Sequence, residues 1–239
     1  MRTIVTACGI LLLCASAQAQ TAERPAVQVG DTWTYRQATE THAGFKEERE
    51  VYDVTRTTAS SIYFDARQAG SSQPPKNLFT GPDWRRIRAV NGVETVVNQP
   101  FDFPLAAGKH WDLHYREDHP NKSHAWEDFS LTYTVAGIEQ VEVPAGKFDA
   151  IKVEAEGHWL AEVTPSSTIA TAAQGTSGNS AIATQVDTAT AHRAEGRVYK
   201  AFWYVPAVRR WVKSVEEFYS SGGERSERTT TELESYQLK

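Results

Sequence analysis

The sequence holds almost no sulfur. Cys8, Cys14 and Met1 are its only sulfur-bearing residues, and all three fall near the start of a 239-residue chain. Everything downstream lacks a disulfide, a thiolate nucleophile and a soft ligand for a metal such as copper(I). A basic stripe is missing as well. Lys and Arg total 25 against 30 Asp and Glu, for a net charge of −5, and basic pairs such as Arg85-Arg86 and Arg209-Arg210 stand alone. Nothing there would neutralise a row of phosphates, so no nucleic-acid partner is expected. No G-x-S-x-G elbow, H-E-x-x-H helix motif or phosphate-cradling glycine loop occurs. After residue 20 no run is long and apolar enough for a membrane span.

What is present begins with a leader. Arg2, the apolar run Ile4 to Leu13 and the small-x-small Ala17-Gln18-Ala19 form the pattern of a secretory signal peptide over 1–19, cleaved after Ala19. Leu13 precedes Cys14 where lipidation wants a small residue, so a lipoprotein is not expected. Loss of Arg2, the only charged residue of that segment, takes the net charge from −5 to −6. The expected product is a periplasmic or secreted protein with one domain over 20–239. Roughly 220 residues can bury about 70% of their unfolded surface without disulfides.

Apolar residues then alternate with polar ones, the period of strands. Phe129, Leu131, Tyr133 and Val135 share one face, as do Ile151, Val153, Ala155 and Trp159. Asn91-Gly92, Asp118 to Asn121, Pro144-Ala145-Gly146 and Gly222-Gly223 mark turns. The pattern predicts an all-β antiparallel meander of about ten strands, forming a strongly curved sheet or half-barrel. Thr164 to His192 departs from it. Rich in Ser, Thr, Ala and Gly with little to bury, this stretch reads as a low-complexity loop, either a lid or a disordered insertion.

Four of the seven histidines crowd into Gly108 to His124, and His110-x-Asp112-x-His114 invites a metal reading. A short repeat argues otherwise: "VGDTWTYRQ" from Val29 and "AGKHWDLHYRE" from Ala107 both place Trp just ahead of a strand ending Tyr-Arg. On such a strand Trp111, Leu113 and Tyr115 face the core, while His110, Asp112 and His114 face solvent. The two histidines then lie roughly 13 Å apart along the strand, too far to share one zinc at about 2.0–2.1 Å per bond. No metal site and no cofactor are expected.

Aromatics are the positive signal: seven Trp, nine Tyr and nine Phe. "KAFWYVP", Lys200 to Pro206, puts large rings on both faces of one strand, so its second face is covered or lines a groove. The candidate ligand-binding residues are Trp33 and Trp111, at equivalent strand starts, and Trp159 and Trp203, on the strands flanking the long loop. Catalytic residues are not assigned, because carboxylate runs such as Glu47-Glu48-Arg49-Glu50 belong to a wet strand face.

"VEVPAGKFDAIKVE", Val141 to Glu154, and "FWYVPAVRRWVKSVEEF", Phe202 to Phe218, together with "VGDTWTY", resemble signatures of uncharacterised exported bacterial β proteins. These form a domain-of-unknown-function group sometimes labelled TapB-like. Arg209-Arg210 stands where that group often has Gly. The resemblance implies a curved antiparallel sheet or barrel in the periplasm and carries over no catalytic residue. The expected function is non-enzymatic binding of an amphipathic envelope ligand, lipid or glycan, on a concave β surface. Two alternatives are a structural or accessory envelope protein engaging another protein, and a hydrolase with an unrecognised carboxylate pair. The sequence names no protein partner.

Overall fold

The computed structural model describes residues 21–164, 166–176 and 179–239, and of 166–176 and 179–189 the backbone pairing alone. The leader expected over 1–19, with its cleavage site and both cysteines, lies outside the described residues. The described residues form fourteen strands and a 3₁₀ turn, Pro206–Val208. In chain order the strands are β1 (Thr32–Thr41), β2 (Gly44–Thr57), β3 (Ile62–Gln68), β4 (Lys76–Thr80), β5 (Arg86–Val90), β6 (Val93–Asn98), β7 (His110–Asp118), β8 (His124–Val143), β9 (Gly146–Val163), β10 (Ser166–Thr176), β11 (Asn179–Ala189), β12 (His192–Val205), β13 (Arg210–Tyr219) and β14 (Arg225–Gln237).

Ten of them make one antiparallel sheet in the order β4-β3-β2-β1-β14-β13-β12-β9-β8-β7. The chain starts at the middle of that sheet and walks outward by hairpins to the β4 edge. It then crosses to the opposite edge, β7, and walks back until β14 pairs with β1. The crossing segment is a separate hairpin of β5 and β6, turned at Asn91-Gly92 with both residues at positive φ, as that dipeptide predicts. β4 and β7 do not pair, so the sheet stays open.

Strong curvature follows from one observation. β5 touches both β4 and β7, the two opposite edges. Laid flat at about 4.8 Å per strand, those edges would stand roughly 43 Å apart, far beyond the reach of a five-residue strand. The sheet must curl until the hairpin spans its mouth. Glycine makes the tight inner bends feasible where strands approach closely. A Cβ on Gly196 would lie 1.7 Å from the Tyr219 carbonyl oxygen, and one on Gly157 would lie 1.9 Å from that of Ser130.

Cross-strand pairing sorts the faces. Trp111, Leu113 and Tyr115 pair with Tyr133, Leu131 and Phe129, then with the inward residues of β9 and β12. His110, Asp112 and His114 take the exposed side, as the alternation requires, and His114 bonds Asp128 at 3.1 Å. The concave side is partly filled by the link between β6 and β7. Phe101 and Leu105, both fully buried, come from this link, and Phe101 packs on Tyr204 and Phe202 with centroids 5.0 and 6.1 Å apart. Each such side chain contributes about 1.5–3 kcal/mol by leaving water.

The stretch expected as an irregular loop over 164–192 has regular backbone instead. β10 and β11 pair residue for residue, from Ser166 with Ala189 to Thr176 with Asn179, as a hairpin separate from the main sheet.

Candidate functional site

The second large departure from composition-level expectation is a buried cation. Arg210 opens β13 and is only 4% exposed. Six aromatic rings surround its guanidinium carbon, with centroids at 4.4 Å (Tyr52 and Trp211), 4.7 Å (Trp84), 5.0 Å (Tyr35), 5.3 Å (Trp33) and 5.9 Å (Phe64). These rings come from β1, β2, β3, the link before β5, and β13.

Hydrogen bonds fix the rings in place. The Trp33 indole N–H donates to the Val208 carbonyl at 3.0 Å, that of Trp84 to the Arg209 carbonyl at 3.0 Å, and the Tyr35 hydroxyl to the Trp211 carbonyl at 2.6 Å. Three rings thus grip the backbone on both sides of Arg210. Trp84 is held at φ 67°, an uncommon conformation for a bulky residue. Burial pushes the Tyr35 and Tyr52 hydroxyls above their ordinary range, while the charge of Arg210 pulls the other way. Both stay neutral donors, and neither donates to or neutralises the arginine.

Attraction between a cation and a ring is worth about 0.5–2 kcal/mol, set against a desolvation cost of several kcal/mol per buried ion. Rings, however, offer no lone pair to an N–H. Nε and Nη1 of Arg210 are buried with no hydrogen-bond partner, and no carboxylate among the described residues forms an ion pair with it. Its neighbour Arg209 is the contrast. Arg209 sits at φ 63° after the 3₁₀ turn and binds Asp31, which is fully buried, at 2.8 and 2.9 Å. Asp31 is further satisfied by the backbone N–H groups of Gln28 and Lys239.

Arg210 lines a groove between the concave sheet and the β5–β6 hairpin. One half, about 560 Å³, is walled by Tyr35, Tyr52, Phe64, Trp84, Ile87, Phe202 and Trp211, with Leu78 and Phe79 of the edge strand at its rim, each 43% exposed. The adjoining half, about 480 Å³, shares Arg86, Arg88, Asn98 and Glu216 with the first. Apart from the exposed Arg86, its charges are matched. Arg88 binds Glu117 through both guanidinium nitrogens Nη1 and Nη2, Lys200 binds Glu216 at 3.0 Å, and Glu127 takes His124 at 2.5 Å and Asn121 at 3.0 Å. Asn98 Oδ1 accepts from Tyr133 at 2.8 Å and from Lys200 at 3.3 Å.

The four tryptophans singled out in the sequence do not share one wall. Trp33 is part of the ring around Arg210 and is 1% exposed. Trp111 donates to the Gln99 carbonyl and stacks on Tyr133 at 5.5 Å. Trp159 lines a different hollow, of about 720 Å³, and donates to the Tyr219 carbonyl across Gly196. Trp203 projects from the opposite face of β12 to Phe202, between Lys152 and Lys213. Trp84, Trp211 and Arg210, which the groove does use, were not among the expected binding residues, and Arg210 stood out only as half of an isolated basic pair. Their one local mark is an arginine set inside the aromatic run Phe202 to Trp211.

No family model matches the chain, and no curated protein matches it by sequence. The resemblance carried by the Val141 and Phe202 segments stays at the level of those motifs. Three solved structures are similar in shape. A protein described as a lipoprotein, from Parabacteroides distasonis, has 13% identity and a TM-score of 0.46, covering 91% of this chain and 100% of its own. A protein described as exported, with a YmcC-like fold, from Bacteroides fragilis, has 16% identity and a TM-score of 0.40, covering 90% and 99%. The hypothetical lipoprotein YmcC of Escherichia coli has 12% identity and a TM-score of 0.30, covering 85% and 84%. Among the described residues, no helix is long and apolar enough to cross a membrane.

Proposed function

We propose that this is a non-enzymatic protein of the bacterial envelope, exported to the periplasm, that holds the acyl chain of an amphipathic lipid in its concave groove. The carrying observation is the apolar half of that groove. Its volume of about 560 Å³ falls within the roughly 300–1,000 Å³ range of small-molecule sites. Phe64, Ile87, Phe202 and the rings of Trp84 and Trp211 give it an apolar wall facing polar residues such as Gln37, Asn98 and Ser214, and Leu78 and Phe79 leave the rim apolar, the two-sided lining an amphipathic ligand needs. The non-enzymatic reading is supported by the carboxylates in the other half. Glu117, Glu127 and Glu216 each have a hydrogen-bonded or basic partner already, which leaves no free pair for acid–base work.

Trp84 and Trp211 line the cavity, so their emission reports on it directly. Titrating the delipidated protein with a C12 acyl probe should give a saturable emission shift. Leu78→Asp, at an exposed rim position, should weaken the response while leaving the melting temperature close to that of the parent. Absence of a saturable response to acyl probes of several lengths would sink this reading.

A further inference from the structure

We propose that Arg210 is the head-group site of this groove and that the head it takes is the carboxylate of a free fatty acid. The assignment rests on the acyl-binding reading above and adds the chemistry of the ligand's polar end.

Arg210 lines the cavity, is 96% withdrawn from solvent, and leaves Nε and Nη1 without acceptors. A buried cation with unmet donors calls for an anion that brings its own lone pairs. The other basic residues of the groove do not compete. Arg88 and Lys200 are occupied by Glu117 and Glu216, and Arg86 is exposed. Among the described residues, Arg210 is thus the one buried positive charge of the groove without a partner, and a monoanion cancels it.

A carboxylate is planar and presents two oxygens to the guanidinium fork. Its only other substituent is the chain, which can pass from the ring of aromatics along Phe64 and Phe202 toward Leu78 and Phe79 at the rim. A phosphodiester would carry a second, polar substituent into the same six rings. The rings also explain selectivity against the neutral alcohol. They leave Nε and Nη1 of Arg210 without an acceptor from the protein, and a charged acceptor meets such a cation more strongly than a hydroxyl does.

The test compares three probes of equal chain length, dodecanoate, dodecanol and dodecyl phosphate, by calorimetry on the delipidated protein at pH 8. Dodecanoate should bind about tenfold or more tighter than dodecanol, the scale of one hydrogen-bonded charge. Arg210→Leu should erase that preference while retaining dodecanol binding, and Arg210→Lys, which keeps the charge but not the fork, should fall between. Equal affinity for acid and alcohol in the parent would overturn the carboxylate assignment and leave the acyl groove standing. Tighter binding of dodecyl phosphate would overturn the choice of head. Failure of all three to bind would overturn the groove reading itself. The parent series decides even if Arg210→Leu does not fold. If Arg210→Leu folds and keeps the acid preference, Arg210 is only a packed core residue.

Discussion

Backbone geometry at single positions explains several local features of the chain. Gly146, in the Pro144-Ala145-Gly146 turn between β8 and β9, sits at φ 133°, where a side chain is disfavoured although the surrounding space is open. Gly146→Val should therefore cost about 1–3 kcal/mol through backbone strain alone, read as a lower urea midpoint. An unchanged midpoint would contradict the strained turn. At position 209 an arginine adopts φ 63°, a conformation that favours Gly, and its pairing with buried Asp31 holds it there. The turn mark at Gly146 was legible because Pro-Ala-Gly between two alternating runs admits few geometries. The fates of Arg209 and Arg210 were not. Period-two reasoning breaks at a bulge, and Val212 is skipped where Tyr204 pairs with Trp211 and Trp203 with Lys213. The rings around Arg210 come from five separate segments, so only the fold assembles them.

Elements were easier to read than sites. Alternation on β7, β8 and β9 placed the inward residues on the correct face because each strand buries one side only, and a slip of one residue would invert them all. β10 and β11 escaped because their residues are small and offer no apolar alternation to detect. The available signal was Thr, Ile and Val on either side of Gly175-Thr176-Ser177-Gly178, since β-branched residues favour extended backbone even without a core. Among the described residues this hairpin pairs with nothing but itself. Replacing 166–190 with a short Gly/Ser linker should leave the melting temperature nearly unchanged. A large drop would show that the hairpin packs on the sheet.

Across the whole molecule, titration sets the limits of stability. The Lys152 bond holds the Glu154 carboxyl below its ordinary 4.5, aided by Tyr199 and opposed by burial. Burial opposes the same shift at Glu232, where the bonds from Arg36 and Lys213 prevail. A carboxyl depressed on folding stabilises above its unfolded value and loses that contribution as pH falls through the folded one. Tyr35, Tyr52, Tyr133 and Tyr204 are shifted the other way, upward from 10.0 by burial. Their contribution is complete below about pH 10 and fades above it. The melting temperature should hold a plateau between these limits, falling below about pH 4.5 and again above about pH 10. A melting temperature that keeps rising past pH 10 would mean the four hydroxyls are not sealed from water.

β1 lies beside β14 although nearly the whole chain separates them, with Trp33 opposite Tyr236. During synthesis the strands β1 to β4 can form a ladder early, because each follows its neighbour directly. The inner edge of that ladder stays bare until the final thirteen-residue strand is delivered. Pairings of such long sequence separation form slowly, since the intervening chain must be ordered first. The arrival of the last strand therefore sets when the two halves of the sheet become one cooperative unit. Until then β1 is an exposed template that a foreign strand can occupy.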